Sequence, residues 1–197
     1  MSNFYLDIIK DRLYCQPIAS VERSAAQTAM YRILSAVTRM IAPILSFTAE
    51  EIWSYMPHSS SDNTESVFLN DMPAKSGLTA SEEFTAKWNL IYQTRMNVNK
   101  VLEEKRNEKL IGKSLEAAVT IAADDSQYNI LSEAAKLLEA VLIVSSVDVV
   151  RSENGETVYT VTKAEGEKCE RCWIYSKTVG TNSNHPTLCS RCAGVVE

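Results

Sequence analysis

The sequence predicts a mainly α fold: a helical bundle over residues 1–112, a small α/β unit over 113–165 and a four-cysteine finger over 166–197. Three observations predict it. Apolar residues recur at three-and-four spacing through much of the first hundred positions, the period drops to two after Gly112, and four of the five cysteines lie in the last 29 residues as two Cys-x-x-Cys pairs. At 197 residues, 45% hydrophobic and 23% charged, the chain can bury one or two small cores and is neither disordered nor fibrous.

Residues 20–56 read as helix because Ala25, Ala26, Met30, Ile33, Leu34, Val37, Met40 and Ile41 build one apolar stripe. Ser24 with Gln27 offers a capping box; Pro43 should end or kink the helix, and Thr48 with Glu51 offers a second box ahead of Ile52, Trp53 and Met56. From Pro57 to Lys75 a run of serines, Asp62, Asn63 and two prolines predicts a connector whose apolar patch is Val67, Phe68 and Leu69. Ser81, Glu82 and Glu83 open a further helix, since first-turn acids face the positive end of the peptide dipoles, and Phe84, Trp88, Ile91, Val98 and Leu102 supply its buried stripe. Gly112 marks its expected stop.

Beyond Gly112, Leu115, Ala117, Val119 and Ile121 alternate with other residues in the rhythm of a strand. A helix from about 126 to 140 follows, then β-branched residues over 142–150, and Asn154-Gly155 signals a hairpin before Val158, Tyr159, Thr160 and Val161.

A net charge of -5 argues against non-specific coating of nucleic acid, which draws its affinity from Lys and Arg. The charge is nevertheless segregated: +2 over residues 1–40 and 100–113, +1 over 163–197, but -4 over 41–99 and -6 over 114–162. Acidic segments would therefore steer an RNA partner onto the basic ones. The longest apolar candidate for a membrane span, Met40 to Ala49, is ten residues long and contains Pro43, so no span is expected. The first residues lack the basic start and apolar centre of a secretory leader.

Cys169, Cys172, Cys189 and Cys192, with sixteen residues between the pairs, have the spacing of a four-thiolate zinc site. Each two-residue gap lets both sulfurs of a knuckle face one side, and two knuckles close a tetrahedron that leaves no position for a catalytic water. One structural zinc ion is expected, folding a segment too polar to fold alone. Disulfides would need an oxidising compartment that nothing else in the chain indicates; the cysteine usage fits a reducing cytosol. Cys15 reads as a small buried thiol, and His185-Pro186 as a turn. Lys168, Arg171, Trp173, Lys177 and Arg191 stand in or beside the knuckles, where an aromatic and cations suit unpaired RNA bases; Trp173 could equally cover the metal site.

The segments from Tyr5 to Tyr14 and from Ile41 to Trp53 resemble the helical anticodon-binding domain of class I aminoacyl-tRNA synthetases. Gly112-Lys-Ser-Leu-Glu-Ala117 resembles the junction that follows in bacterial isoleucyl-tRNA synthetases. Lys168-Cys-Glu-Arg-Cys-Trp173 with Leu188-Cys-Ser-Arg-Cys192 resembles the carboxy-terminal zinc finger of those enzymes. The resemblance implies an anticodon-binding bundle plus finger that docks the anticodon stem and loop of an isoleucine tRNA in the cytoplasm, alongside the catalytic half of the same synthetase. Candidate phosphate contacts are Lys100, Lys105, Arg106, Lys109 and Lys113; candidate base contacts are Arg171, Trp173 and Arg191. Neither the His-Ile-Gly-His nor the Lys-Met-Ser-Lys-Ser type of ATP signature occurs, so the chain is expected to be a carboxy-terminal piece that does not itself activate an amino acid. Two alternatives stand beside this reading. Formamidopyrimidine-DNA glycosylases end in a similar finger, but their amino-terminal Pro-Glu nucleophile has no counterpart in Met1-Ser2-Asn3. The other is a buttress for the catalytic half, without RNA contact.

Overall fold

The computed structural model describes residues 2–197, opening with a π-type helical turn, Ser2–Leu6, and a short helix α1 (Lys10–Cys15). Two units follow from the packing. One is Ile18–Thr79; the other joins the stretch up to Pro17 with Ala80–Glu197. No helix among the described residues is long and apolar enough to cross a membrane.

In the first unit the expected helical stretch breaks at Pro43, giving α2 (Val21–Ile41) and α3 (Ser46–Tyr55). The caps differ from those expected. Ser20, four residues before Ser24, accepts the Arg23 N–H at 3.0 Å, so Ser24 lies inside the helix. Thr48 likewise falls within α3, whose entry is set by the turn after Pro43, with the Ser46 hydroxyl donating to the Ala42 carbonyl. Ala42, Ala49, Trp53, Met56 and Val67 make the core of this unit, with Tyr31, Ile41 and Ile52 packed against it. The connector folds back through a 3₁₀ turn, Val67–Leu69, of which only Val67 is buried. Asp62 pins that connector to α2, receiving Arg39 at 2.6 Å and the Tyr31 hydroxyl at 3.2 Å. With so few neighbours to cover it, the stripe on α2 stays half-open: Leu34, Val37 and Met40 are exposed.

The second unit is organised around α4 (Glu82–Asn107), capped by Ser81, whose buried face is Ile91, Thr94, Val98 and Leu102. Phe84, expected in that stripe, is exposed at the helix start. The helix stops five residues before Gly112. Lys109 takes the left-handed conformation at φ 60°, its N–H bonds the Arg106 carbonyl at 2.9 Å, and the Leu110 N–H bonds that of Lys105 at 3.0 Å. This is the Schellman arrangement, with a lysine where glycine would be unstrained.

Strand β1 (Ala117–Ala123) follows, its alternate residues Ala117, Val119, Ile121 and Ala123 buried as the two-residue period predicts. The helical stretch after it is split at Ala134 into α5 (Asp125–Glu133) and α6 (Ala135–Leu142). Strands β2 (Ser146–Arg151) and β3 (Val158–Lys163) complete the sheet, in the order β2-β1-β3. The expected hairpin is therefore a turn without a hairpin. Gly155 does turn the chain at φ 72°, but β2 pairs parallel to β1 and β3 antiparallel to its other edge, so the two flanking strands never meet. The reason is the buried apolar face of β1, which takes the centre and leaves each neighbour one edge; α4 and α6 cover the core formed with Leu131, Leu138 and Val141.

Two outcomes follow. Lys109→Gly should raise unfolding stability by about 0.5–1 kcal/mol, relief of the left-handed strain exceeding the added freedom of the unfolded chain, as read by urea denaturation. Asp124 caps α5, and hydrogen bonds from Ser126 and Thr157 hold its carboxyl below the usual 3.8. A lowered folded value means that its contribution is complete above 3.8 and disappears as pH falls through the folded value. The difference in thermal midpoint between wild type and Asp124→Asn should thus shrink below pH 3.8.

Candidate metal centre and nucleic-acid surface

The last stretch of chain is a two-stranded ribbon and a short helix gathered around four sulfurs. Ribbon strands β4 (Glu167–Lys168) and β5 (Tyr175–Ser176) pair antiparallel. Gly166 precedes β4 at φ 90°, and a Cβ built there would lie 2.3 Å from the Ser176 carbonyl carbon, so only glycine admits this approach. Between the strands runs the first knuckle: the Trp173 N–H bonds the Cys169 carbonyl at 2.8 Å, and the Cys169 N–H bonds that of Ile174 at 3.0 Å. The second knuckle opens helix α7 (Ser190–Val196), with Cys189 at its N-cap and Cys192 in its first turn.

All four sulfurs lie within 4.8 Å of one another, and those of Cys172 and Cys189 are 3.8 Å apart. Thiolates at about 2.3 Å from a central zinc would be about 3.8 Å apart, so the cluster has the dimensions of a tetrahedral tetrathiolate. Its electrostatics call for a cation. Burial acts to raise Cys169, but backbone N–H groups of Cys172, Cys189 and Arg171 outweigh it and hold that thiol down to about 6. Burial pushes Cys172 and Cys192 up, reinforced at Cys172 by the other three sulfurs and at Cys192 by that of Cys189. One thiolate is therefore easy and a quartet is not, unless a divalent ion balances the charge. His185 stands apart from this group, its N–H bonded to Asn182 in a turn. Cys15 is buried at the edge of the finger, its Sγ 3.8 Å from the Arg171 carbonyl and its thiol pushed up to about 11 chiefly by that burial, as an inert thiol should be.

The remaining candidates all belong to the same unit. Trp173 is 54% exposed in the left-handed conformation at φ 65°, so it does not lie buried over the sulfurs. Two ammonium groups lie near its ring, Lys113 at 5.7 Å and Lys168 at 5.3 Å from the centroid. Lys100, Lys109 and Lys113 are exposed. Lys105 and Arg106 are half-buried and already engaged, with Glu108 at 2.8 Å and Glu103 at 2.7 Å. Arg171 and Arg191 turn inward onto α1. One nitrogen of Arg171 donates to the Cys15 carbonyl at 2.7 Å, and two nitrogens of Arg191 meet the Asp11 carboxylate at 2.8 and 2.7 Å.

Two residues of this surface escape a reading of the sequence. Asp11 lies 180 positions from its partner, and the Ser145 hydroxyl, which accepts the Tyr175 N–H at 2.8 Å and ties ribbon to sheet, carries no local signal at all.

Comparison with known proteins adds the following. Residues 1–121 match a family described as the anticodon-binding domain of tRNA ligase, and residues 166–194 match one described as a zinc finger found in FPG and IleRS. The whole chain is 46% identical to part of the isoleucine–tRNA ligase of Thermoanaerobacter sp. (strain X514), covering 22% of that protein. It is likewise 46% identical to that of Caldicellulosiruptor bescii, covering 21%, and 42% identical to that of Shouchella clausii, covering 22%. The chain thus spans about a fifth of the length of these curated relatives. Taken with the sulfur geometry, the matched finger is a structural site for one zinc ion.

Atomic absorption on the purified chain should find one zinc per molecule. Cys172→Ala should abolish stoichiometric binding and unprotect the finger amides in hydrogen exchange while α4 and β1 stay protected. Lowering the pH should release the metal, because protons compete for the same sulfurs.

Proposed function

We infer, for a chain that belongs to the anticodon-binding domain family of tRNA ligases, that it is the tRNA-binding carboxy-terminal module of an isoleucine–tRNA ligase. Its substrate-facing partner is the anticodon stem and loop of an isoleucine tRNA in the cytoplasm. The other partner is the catalytic part of the same enzyme, where ATP and isoleucine bind. On this reading the domains divide the labour: residues 1–112 cradle the stem, 113–165 carry the finger, and 166–197 meet the loop.

The observation that carries the inference is the contact of Lys113 with Trp173. It joins the cations after α4 to the exposed aromatic of the finger in one continuous surface. An unpaired base can stack on the exposed indole once Lys113 and Lys168 turn from the ring to hold the flanking phosphates, and Lys100 and Lys109 extend the phosphate track. Cys169, Cys172, Cys189 and Cys192 are the proposed zinc ligands that keep the indole in place. Lys105 and Arg106 enter with their acidic neighbours as partners, so their share of phosphate binding is the smaller. Arg171 and Arg191, occupied by α1, act through that helix. No bond is made or broken by the module. It positions the acceptor end of the tRNA for ester formation elsewhere in the enzyme, and that placement is where its free energy enters catalysis.

Binding of an isoleucine tRNA transcript to the zinc-loaded chain, titrated over a series of KCl concentrations, tests this. Lys113→Ala should reduce the slope of log affinity against log salt by about 1, and Trp173→Ala should weaken binding by about 1–3 kcal/mol with the slope unchanged. Absence of binding at low salt, or equal binding of a tRNA with a different anticodon, would overturn the reading.

A further inference from the structure

We propose that α1 is a strut that orients the finger for RNA, with Asp11 its positioning residue, a role that rests on the tRNA-binding reading. Each knuckle contributes one arginine from between its two cysteines: Arg171 from Cys169-x-x-Cys172 and Arg191 from Cys189-x-x-Cys192. Both reach the same short helix. Arg191 grips the Asp11 carboxylate through two parallel bonds at 2.8 and 2.7 Å, a fork whose direction is fixed as well as its distance. Arg171 donates to the Cys15 carbonyl at 2.7 Å and the Tyr14 carbonyl at 3.3 Å, groups at the end of α1 that no residue of that helix can satisfy. The Arg171 nitrogen that bonds Cys15 also lies 3.7 Å from Cys192 Sγ, linking the tie to the metal site.

The Ser145–Tyr175 bond alone would let the finger pivot; the two arginine ties, from opposite knuckles to separate points on one helix, fix its rotation. That rotation sets where Trp173, next to Cys172, stands relative to Lys113. Because their donors are used in these ties, the two arginines influence RNA through placement rather than contact.

The experiment compares wild type, Asp11→Asn, Arg191→Asp and the charge swap Asp11→Arg with Arg191→Asp. Zinc content, hydrogen exchange of the finger amides and affinity for the isoleucine tRNA transcript are measured on each. All four should hold one zinc. Removing the Asp11 charge would strengthen RNA binding if charge alone mattered, whereas loss of placement should weaken it by about tenfold in Asp11→Asn, with faster exchange in the finger. The swap should restore protection and most of the affinity. An Asp11→Asn chain that binds as well as wild type, or a swap that regains protection without affinity, overturns the positioning role alone. A wild-type chain with zinc bound and the finger protected that binds no tRNA at low salt overturns the tRNA reading, and the positioning role with it.

Discussion

Strand β1 is the member against which the larger unit is assembled. Both of its edges are hydrogen-bonded, to β2 on one side and β3 on the other, and its buried alanines, valine and isoleucine admit helices close to the sheet. Its flanks organise what comes next. The Ser145 N–H bonds the Ala117 carbonyl, the Ser152 N–H bonds that of Ala123, and the Ala164 N–H bonds that of Glu116. The Ser145 side chain then donates to Leu115 and accepts from Tyr175, so the finger's ribbon is hung from the sheet through a single hydroxyl. A strand buried on this scale is the rigid reference that a small metal-bound appendage needs, since the apolar side chains packed against its sulfurs are Val179 and Leu188.

The finger itself is held by charge balance more than by burial. Four sulfurs within 4.8 Å repel once ionised, and the divalent ion converts that repulsion into the bond network that folds the segment. Backbone N–H groups directed at Cys169 prepare one thiolate in advance. The same segment carries backbone geometry that its side chains would not choose: Trp173 occupies a left-handed conformation that usually falls to glycine. That strain is tolerated beside the sulfur cluster, and the result is an exposed aromatic ring with two cations near it.

Much of this was legible because local chemistry decided it. Pro43 broke the first helical run where the ring clash requires, the two-residue rhythm of β1 survived intact, and the Cys-x-x-Cys pairs led directly to the sulfur cluster. Sequence reading failed where competing local solutions existed. Ser20 and Ser24 are both competent caps, and only the chain's approach selected Ser20. Asn154-Gly155 specifies a turn but not which strands it joins, and the affinity of β1 for both edges overrode the hairpin. For α4 the final turn closed on Lys109 before Gly112 was reached, because the Leu110 bond to Lys105 completed the end early. Of the eight residues proposed from charge and location for RNA, Lys113 and Trp173 do come together, while Arg171 and Arg191 found partners on α1. Charge reports that a side chain seeks an anion; it is silent on whether the anion is intramolecular.

The tie between Asp11 and Arg191 spans 180 positions of sequence. Closing so long a loop in an unfolded chain is entropically costly, although the cost rises only with the logarithm of length, so the tie adds most once the sulfurs are gathered and both arginines face α1. The joint is a partly exposed ion pair, and thermal motion should find that seam the first to part, while the fabric on either side is still whole.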